Sequence, residues 1–147
     1  MKVRITPGVN EDLLKEVREK VKTYLKEMVD DFVEVDGVLS FNYGSVTVNV
    51  EVVPWHKEDV LVKVFSYLSE NVRLSNDLMK TLLELNTHLP LGAFAVGLED
   101  SVIYRYSLAG ANLDFNELAA AIHTVATVAD SYDEFVREYG GASGRID

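Results

Sequence analysis

The sequence predicts an α+β fold, an antiparallel sheet with helices in the order α-β-β-β-α-β-β-α. Three observations point there. Apolar and polar residues alternate on both sides of Gly44-Ser45, which is a hairpin pattern. A helical stretch, a Pro90–Gly92 stop and a second alternating pair follow one another across residues 75–108. Helical periodicity opens and closes the chain, over 10–32 and 114–139.

Val3 and Ile5 alternate with charged residues and predict a short edge strand, broken by Pro7-Gly8. Asn10 is placed to cap a helix, with Glu11 and Asp12 at the positive end of its dipole. Leu13, Val17, Val21, Tyr24 or Leu25, Met28 and Phe32 form its apolar stripe, which predicts an end near Asp31. Residues 38–43 and 46–53 then flank Gly44-Ser45, a pair suited to a type II′ turn. That turn sets Tyr43 against Val46, Phe41 against Val48 and Leu39 against Val50, all apolar. Ser40, Asn42, Thr47, Asn49 and Glu51 fall on the reverse face. Residues 54–59 read as a connection, and Val60, Val62 and Val64 continue the buried face along a third strand to about Ser69.

Ser75 can cap the next helix, with Leu74 and Met79 as its hydrophobic staple. Leu78, Leu82 and Leu85 share a face, and Pro90 bars helical geometry at Leu89, so the helix should end near His88. Two alternating runs follow, one with Phe94, Val96 and Leu98, the other with Val102, Tyr104, Tyr106 and Leu108. A three-residue loop, 99–101, would set Phe94 opposite Tyr106 and Val96 opposite Tyr104, keeping large apolar side chains on one face. Asp114 and Glu117 have capping-box spacing, with Leu113 and Leu118 as a staple. Leu118, Ile122, Val125, Ala129 and Tyr132 form the stripe of an alanine-rich final helix.

The segment Leu85-Asn86-Thr87-His88-Leu89-Pro90-Leu91-Gly92-Ala93-Phe94 resembles the YbjN-type family, described as bacterial sensory transduction regulators. That family is similar in fold to type III secretion chaperones, and the element order from Asn10 to Tyr139 is compatible with the resemblance. It implies a single chaperone-like domain, taken as 1–139, while the glycine-rich residues 140–147 read as a flexible C-terminal tail. It implies a non-enzymatic protein-binding module, chaperone-like or regulatory, that acts as a homodimer and binds an extended segment of a protein client. Similar chaperones dimerise through the helix and hairpin of 75–108, which implies an interface at Leu82, Leu85, Phe94, Val96, Tyr104 and Tyr106. Asn86 is expected to tie down the loop that follows it.

Composition narrows the classes. A chain of 147 residues fits one domain, and 48% apolar with 26% charged residues is ordinary for a globular one. A net charge of −10 argues against nucleic acid or an anionic membrane as partner. The absence of cysteine excludes disulfides, thiolate nucleophiles and cysteine-ligated zinc. The N-terminus lacks the apolar run of a signal peptide, so a cytoplasmic location is the expectation.

Candidate chemistry is sparse, and no cofactor is expected. His56, His88 and His123 sit on separate elements without ligand spacing. The acid pairs Glu99-Asp100 and Asp30-Asp31 fall at a turn and a helix end, where solvation opposes the raised pKa that a catalytic acid requires. No nucleophile elbow, P-loop or dinucleotide fingerprint occurs. The alternative to a binding module is a small-ligand site or an enzyme pocket between sheet and helices.

Alternation also nominates a surface. If Val50, Val52, Val60, Val62 and Val64 point inward, then Val53, Trp55, Leu61, Phe65 and Tyr67 point outward. Those five are the candidate protein-binding patch, rimmed by Glu51, Lys57, Glu58 and Lys63.

Overall fold

The structure, a computed structural model, describes residues 1–69 and 72–144, with side chains described to Tyr139. Helix α1 spans Glu11–Met28. Strands β1 to β4 follow at Val33–Val35, Val38–Tyr43, Val46–His56 and Asp59–Leu68. Helix α2 is Asn76–Leu85, β5 is Ala93–Val96, β6 is Val102–Ala109 and α3 is Phe115–Gly144. The strands form one antiparallel sheet in the order β1-β2-β3-β4-β6-β5. The architecture is therefore the expected α+β one, with β1 added to the expected order. The expected tail, 140–147, falls on residues whose side chains are not described, and 145–147 lie outside the described residues altogether.

The signals at helix starts act as their chemistry requires. Asn10 Oδ1 accepts from the Leu13 N–H at 3.0 Å, and Ser75 Oγ accepts from the Leu78 N–H at 3.1 Å. The box at α3 is reciprocal: the Glu117 N–H donates to Asp114 at 2.7 Å, and the Asp114 N–H donates to Glu117 at 3.2 Å. Helix α1 stops at Met28 rather than near Asp31, because Val29 is already extended and Phe32 leads into β1. Its buried line is Leu14, Val17, Val21 and Leu25, with Leu13 at its margin.

Strand register follows from turn chemistry. Gly44 has φ +54°, and β2 pairs with β3 as Leu39–Val50, Phe41–Val48 and Tyr43–Val46, as expected. The β1–β2 turn is Asp36-Gly37, with φ +51° and +83°, the two positive values that a type I′ turn needs. Residues 54–59 prove to be strand and turn rather than a long connection. Strand β3 continues through Pro54, whose missing N–H is tolerated because the register shifts between Pro54 and His56. The expected edge strand at Val3 and Ile5 is not formed. That arm stays outside the sheet and is tied to the β3–β4 turn by the Lys57 N–H donating to the Thr6 carbonyl at 2.9 Å.

The β5–β6 register differs from expectation by two residues. Phe94 lies opposite Tyr104 and Val96 opposite Val102, leaving the five-residue connection 97–101. Glu99 and Asp100 both take φ +56°, and the Gly97 N–H closes the loop on the Ser101 carbonyl at 2.7 Å. A shift of two preserves which face each side chain occupies, so the burial pattern survives the longer loop.

All three helices cover one face of the sheet. Val48, Val50, Val52, Val60, Val62 and Val64 join Leu14, Val17, Val21 and Leu25 of α1 in one core. Leu78 and Leu82 of α2 and Leu118, Ala121, Ile122, Val125 and Ala129 of α3 complete it. Alanines let α3 lie close against the valine-lined strands.

The β2–β3 turn is docked on α3. The Ser45 N–H and hydroxyl both donate to Asp130 Oδ1, at 2.8 and 2.9 Å, and these bonds hold the Asp130 carboxyl below its usual pKa. A Cβ on Gly44, in a left-handed backbone, would collide with the Asp130 carboxylate. Gly44→Val should therefore cost about 2 kcal/mol or more from backbone strain and displaced contacts. Ser45→Ala, which keeps the backbone donor, should cost less. Denaturant midpoints compare the two, and equal losses would contradict this turn geometry.

Candidate functional site

The residues left over by the core define the candidate site. Val53, Trp55, Leu61, Phe65 and Tyr67 all lie on the face opposite the helices, and none of them joins the core. Trp55 is 53% exposed and Tyr67 43%, while Val53, Leu61 and Phe65 are half-buried by their strand neighbours. The described helices pack on the opposite face, and the N-terminal arm is bonded to Lys57 and Glu58 at the β3–β4 turn. The register shift at Pro54 leaves Trp55 without a cross-strand partner, and its ring leans on His56 at 4.7 Å between centroids.

The patch is divided rather than continuous. Val53 is opposite Leu61, and the next outward row is Glu51 opposite Lys63. The row after that is Asn49, Phe65 and Arg105, and then Tyr67 lies opposite Ile103. Glu51 and Lys63, expected at the rim, therefore run between two apolar groups. One group is Val53, Trp55 and Leu61. The other is Phe65, Tyr67 and Ile103, with the Phe65 and Tyr67 rings edge to face at 6.1 Å. Alternation alone could not separate them, because the division depends on cross-strand register. Ile103 and Arg105 also belong to this face and went unrecognised as such. The alternation of Ile103 and Arg105 with Val102, Tyr104 and Tyr106 was the available signal for both.

The residues expected at a dimer contact divide differently. Leu82, Phe94 and Tyr104 are buried in the chain's own core, so their side chains offer little surface. The Phe94 and Tyr104 rings meet edge to face at 4.9 Å, and Tyr132 of α3 adds to them. The Tyr104 hydroxyl donates to the Leu91 carbonyl, and burial, with Tyr132 beside it, pushes its pKa up to about 12. It is a neutral structural donor. Leu85 and Tyr106 are half-buried, and Val96 is 52% exposed. The exposed apolar side chains of this corner are Leu83, Val96 and Leu98. Met79, Leu83, Ala95 and Val96 line a shallow apolar groove of about 150 Å³ there.

Asn86 closes the same corner. Its amide donates to the Phe94 carbonyl at 3.2 Å and its Oδ1 accepts from the Phe94 N–H at 2.8 Å. A carboxamide thus stands where a neighbouring strand's peptide group would stand, on the outer edge of β5. Fixing the loop is the role expected of Asn86. Sealing a sheet edge is the additional consequence of its geometry.

Among the described residues the three histidines stay on separate elements. His56 is buried with Nδ1 accepting from the Glu58 N–H at 3.2 Å, while His88 and His123 are exposed on other elements. No group of three or more metal-ligating side chains occurs among the described residues. Asp133 is buried but engaged: Ser69 donates to it at 2.9 and 3.1 Å, and Arg137 at 2.6 Å. The recess beside α1, lined in part by Arg18, Lys22, Glu34 and Leu39, holds about 90 Å³. That is small for a ligand pocket, which usually spans about 300–1,000 Å³; a larger open depression of about 600 Å³ lies between the sheet and α3, lined in part by Ser45, Thr47, Tyr67, Ser69, Asp133 and Arg137. No described helix is long and apolar enough to cross a membrane.

Comparison with known proteins agrees with this fold. Residues 15–145 match the family TY-Chap1, described as T3SS (YopN, CesT) and YbjN peptide-binding chaperone 1. A chain of the crystal structure of the ExsC-ExsE complex superposes with a TM-score of 0.63 at 15% identity, covering 84% of this chain and 96% of that one. YbjN from E. coli superposes with a TM-score of 0.57 at 12% identity, covering 80% and 91%. At these identities the likeness is one of fold. No curated protein matches the sequence.

Asn86→Ala gives the seal its test. It removes both bonds to Phe94 and should cost about 1–3 kcal/mol, since two partly buried backbone groups lose their partner. It should also raise the tendency to self-associate at fixed stability, because the β5 edge becomes available. Light scattering against concentration reads this, and an unchanged profile with unchanged stability would contradict the role.

Proposed function

This chain belongs to the TY-Chap1 family of peptide-binding chaperones, and from that premise we propose that it works as a cytoplasmic homodimer holding an extended protein segment across the outer face of its sheet. The observation that carries the reading is the uncovered face itself. Its apolar side chains point away from the helices, and Trp55 and Tyr67 remain about half exposed. Exposed aromatic and apolar surface on a rigid support is where protein contacts concentrate. An extended segment suits such a surface, since its same-face side chains repeat about every 7 Å, as do those of the strands beneath it.

The homodimer reading rests on the α2–β5 corner. Leu83 is 66% exposed and Val96 52%, beside the apolar groove they help to line. A second copy related by a two-fold axis would cover both, and closed two-fold dimers are the commonest homo-oligomers. The Asn86 seal directs such a contact toward side-chain packing rather than continuation of the sheet. Half-buried Leu85 and Tyr106 would support it from behind.

The test is Trp55→Ser combined with Tyr67→Ser, read with a labelled peptide in which Val alternates with Ser. Affinity should fall at least about tenfold, as when central aromatic anchors are lost. Stability should change by no more than about 1 kcal/mol, because both rings are exposed. A loss of several kcal/mol, or unaltered peptide affinity, would overturn the reading of the face. Sedimentation at micromolar concentration should give twice the 16.4 kDa chain mass, and a 16.4 kDa species would overturn the dimer.

A further inference from the structure

The outer face differs in charge from the rest of the molecule. The chain carries 24 acidic against 14 basic side chains. On the outward positions of the six strands the carboxylates are Glu51, across from Lys63, and Asp59 at the start of β4, whose Oδ1 already accepts from the Gly110 and Ala111 N–H groups. Lys63 lies directly across from Glu51, yet the two make no ion pair within 4.0 Å. Arg105 is exposed, donates to Ser107 Oγ at 2.9 Å, and has no carboxylate partner among the described residues. Both cations border Phe65: Lys63 two residues before it on β4, Arg105 opposite it on β6. Together with Glu51, Tyr67 and Ile103 these residues line one shallow depression of about 210 Å³.

We propose that this depression selects extended segments in which a carboxylate stands two residues from an apolar side chain. The inference rests on the outer face being the client surface. A segment running along β4 would set its apolar side chain over Phe65, Tyr67 and Ile103. The side chain two residues along lies about 7 Å away, over Lys63 and Arg105. Two cations without carboxylate partners there gain a counter-charge at little desolvation cost, while a lysine would meet like charge. The net charge of −10 opposes this only at long range. At physiological salt the field of remote acids is screened beyond about 8 Å, so the nearest groups decide.

Three labelled heptapeptides test the proposal, with Val alternating with Glu, with Ser or with Lys. Fluorescence anisotropy on the whole chain should rank them Glu, Ser, Lys, the first binding roughly threefold to tenfold tighter than the second. Raising the salt should shrink that ratio toward one. Lys63→Gln with Arg105→Gln should bring the ratio of Glu-peptide to Ser-peptide affinity to about one, and a ratio that persists in this variant would overturn the assignment to these two cations. Equal binding of the Glu and Ser peptides to the unaltered chain would overturn the charge selection alone. Preference for the Lys peptide would do the same. Failure of all three peptides to bind would overturn the client surface itself, and this proposal with it.

Discussion

One-sided burial is the constraint on which the rest of this structure depends. Strands β3 and β4 present a run of valines to the helices, Val48, Val50 and Val52 on one and Val60, Val62 and Val64 on the other. β-Branched side chains on a pleated surface make a stiff, low platform. Helix α3 can settle closely on it because Ala121, Ala126 and Ala129 are among its buried residues. With α1 and α2 beside it on the same side, the opposite side keeps whatever the alternate positions carry. There the sequence places Val53, Trp55, Leu61, Phe65 and Tyr67, where a sheet exposed only to water would carry polar residues.

Such a sheet must also manage its edges. The two ends are treated differently. At β5 a side-chain amide occupies the backbone groups of Phe94. At β1 the strand is three residues long, and its Glu34 is bound to Lys22 of α1 at 2.7 Å. Shortness and charge are both ways of discouraging strand addition. The segment that supplies Asn86 also ends α2 and starts β5, so the resemblance of this stretch to a family motif has a physical basis. One residue joins the end of a helix to the edge of a sheet.

Much of this was legible in the sequence because local and long-range signals agreed. Asn10, Ser75 and Asp114 announced helix starts, and Gly44-Ser45 set the register of β2 on β3. What was missed lay where one signal masked another. Phe32 continued the periodicity of α1 and concealed β1, although Asp36-Gly37 is itself a strong turn signal. Residues 54–59 read as a connection, yet a local register shift carries β3 through Pro54. The β5–β6 loop was read too short because side-chain matching is satisfied equally at shifts of two. For the candidate face, alternation sufficed to place the five nominated residues outward. Division by the Glu51–Lys63 row, and the addition of Ile103 and Arg105, depended on pairing between distant strands.

The central claim is that client segments lie on the helix-free face. Amide and side-chain NMR shifts of the chain, titrated with the Val/Ser heptapeptide, test it most directly. The account predicts that the largest changes fall on Val53, Trp55, Leu61, Phe65 and Tyr67 and their strand neighbours, with α1 and α3 nearly silent. Changes concentrated on the helices, or on the groove beside Leu83 and Val96, would contradict it.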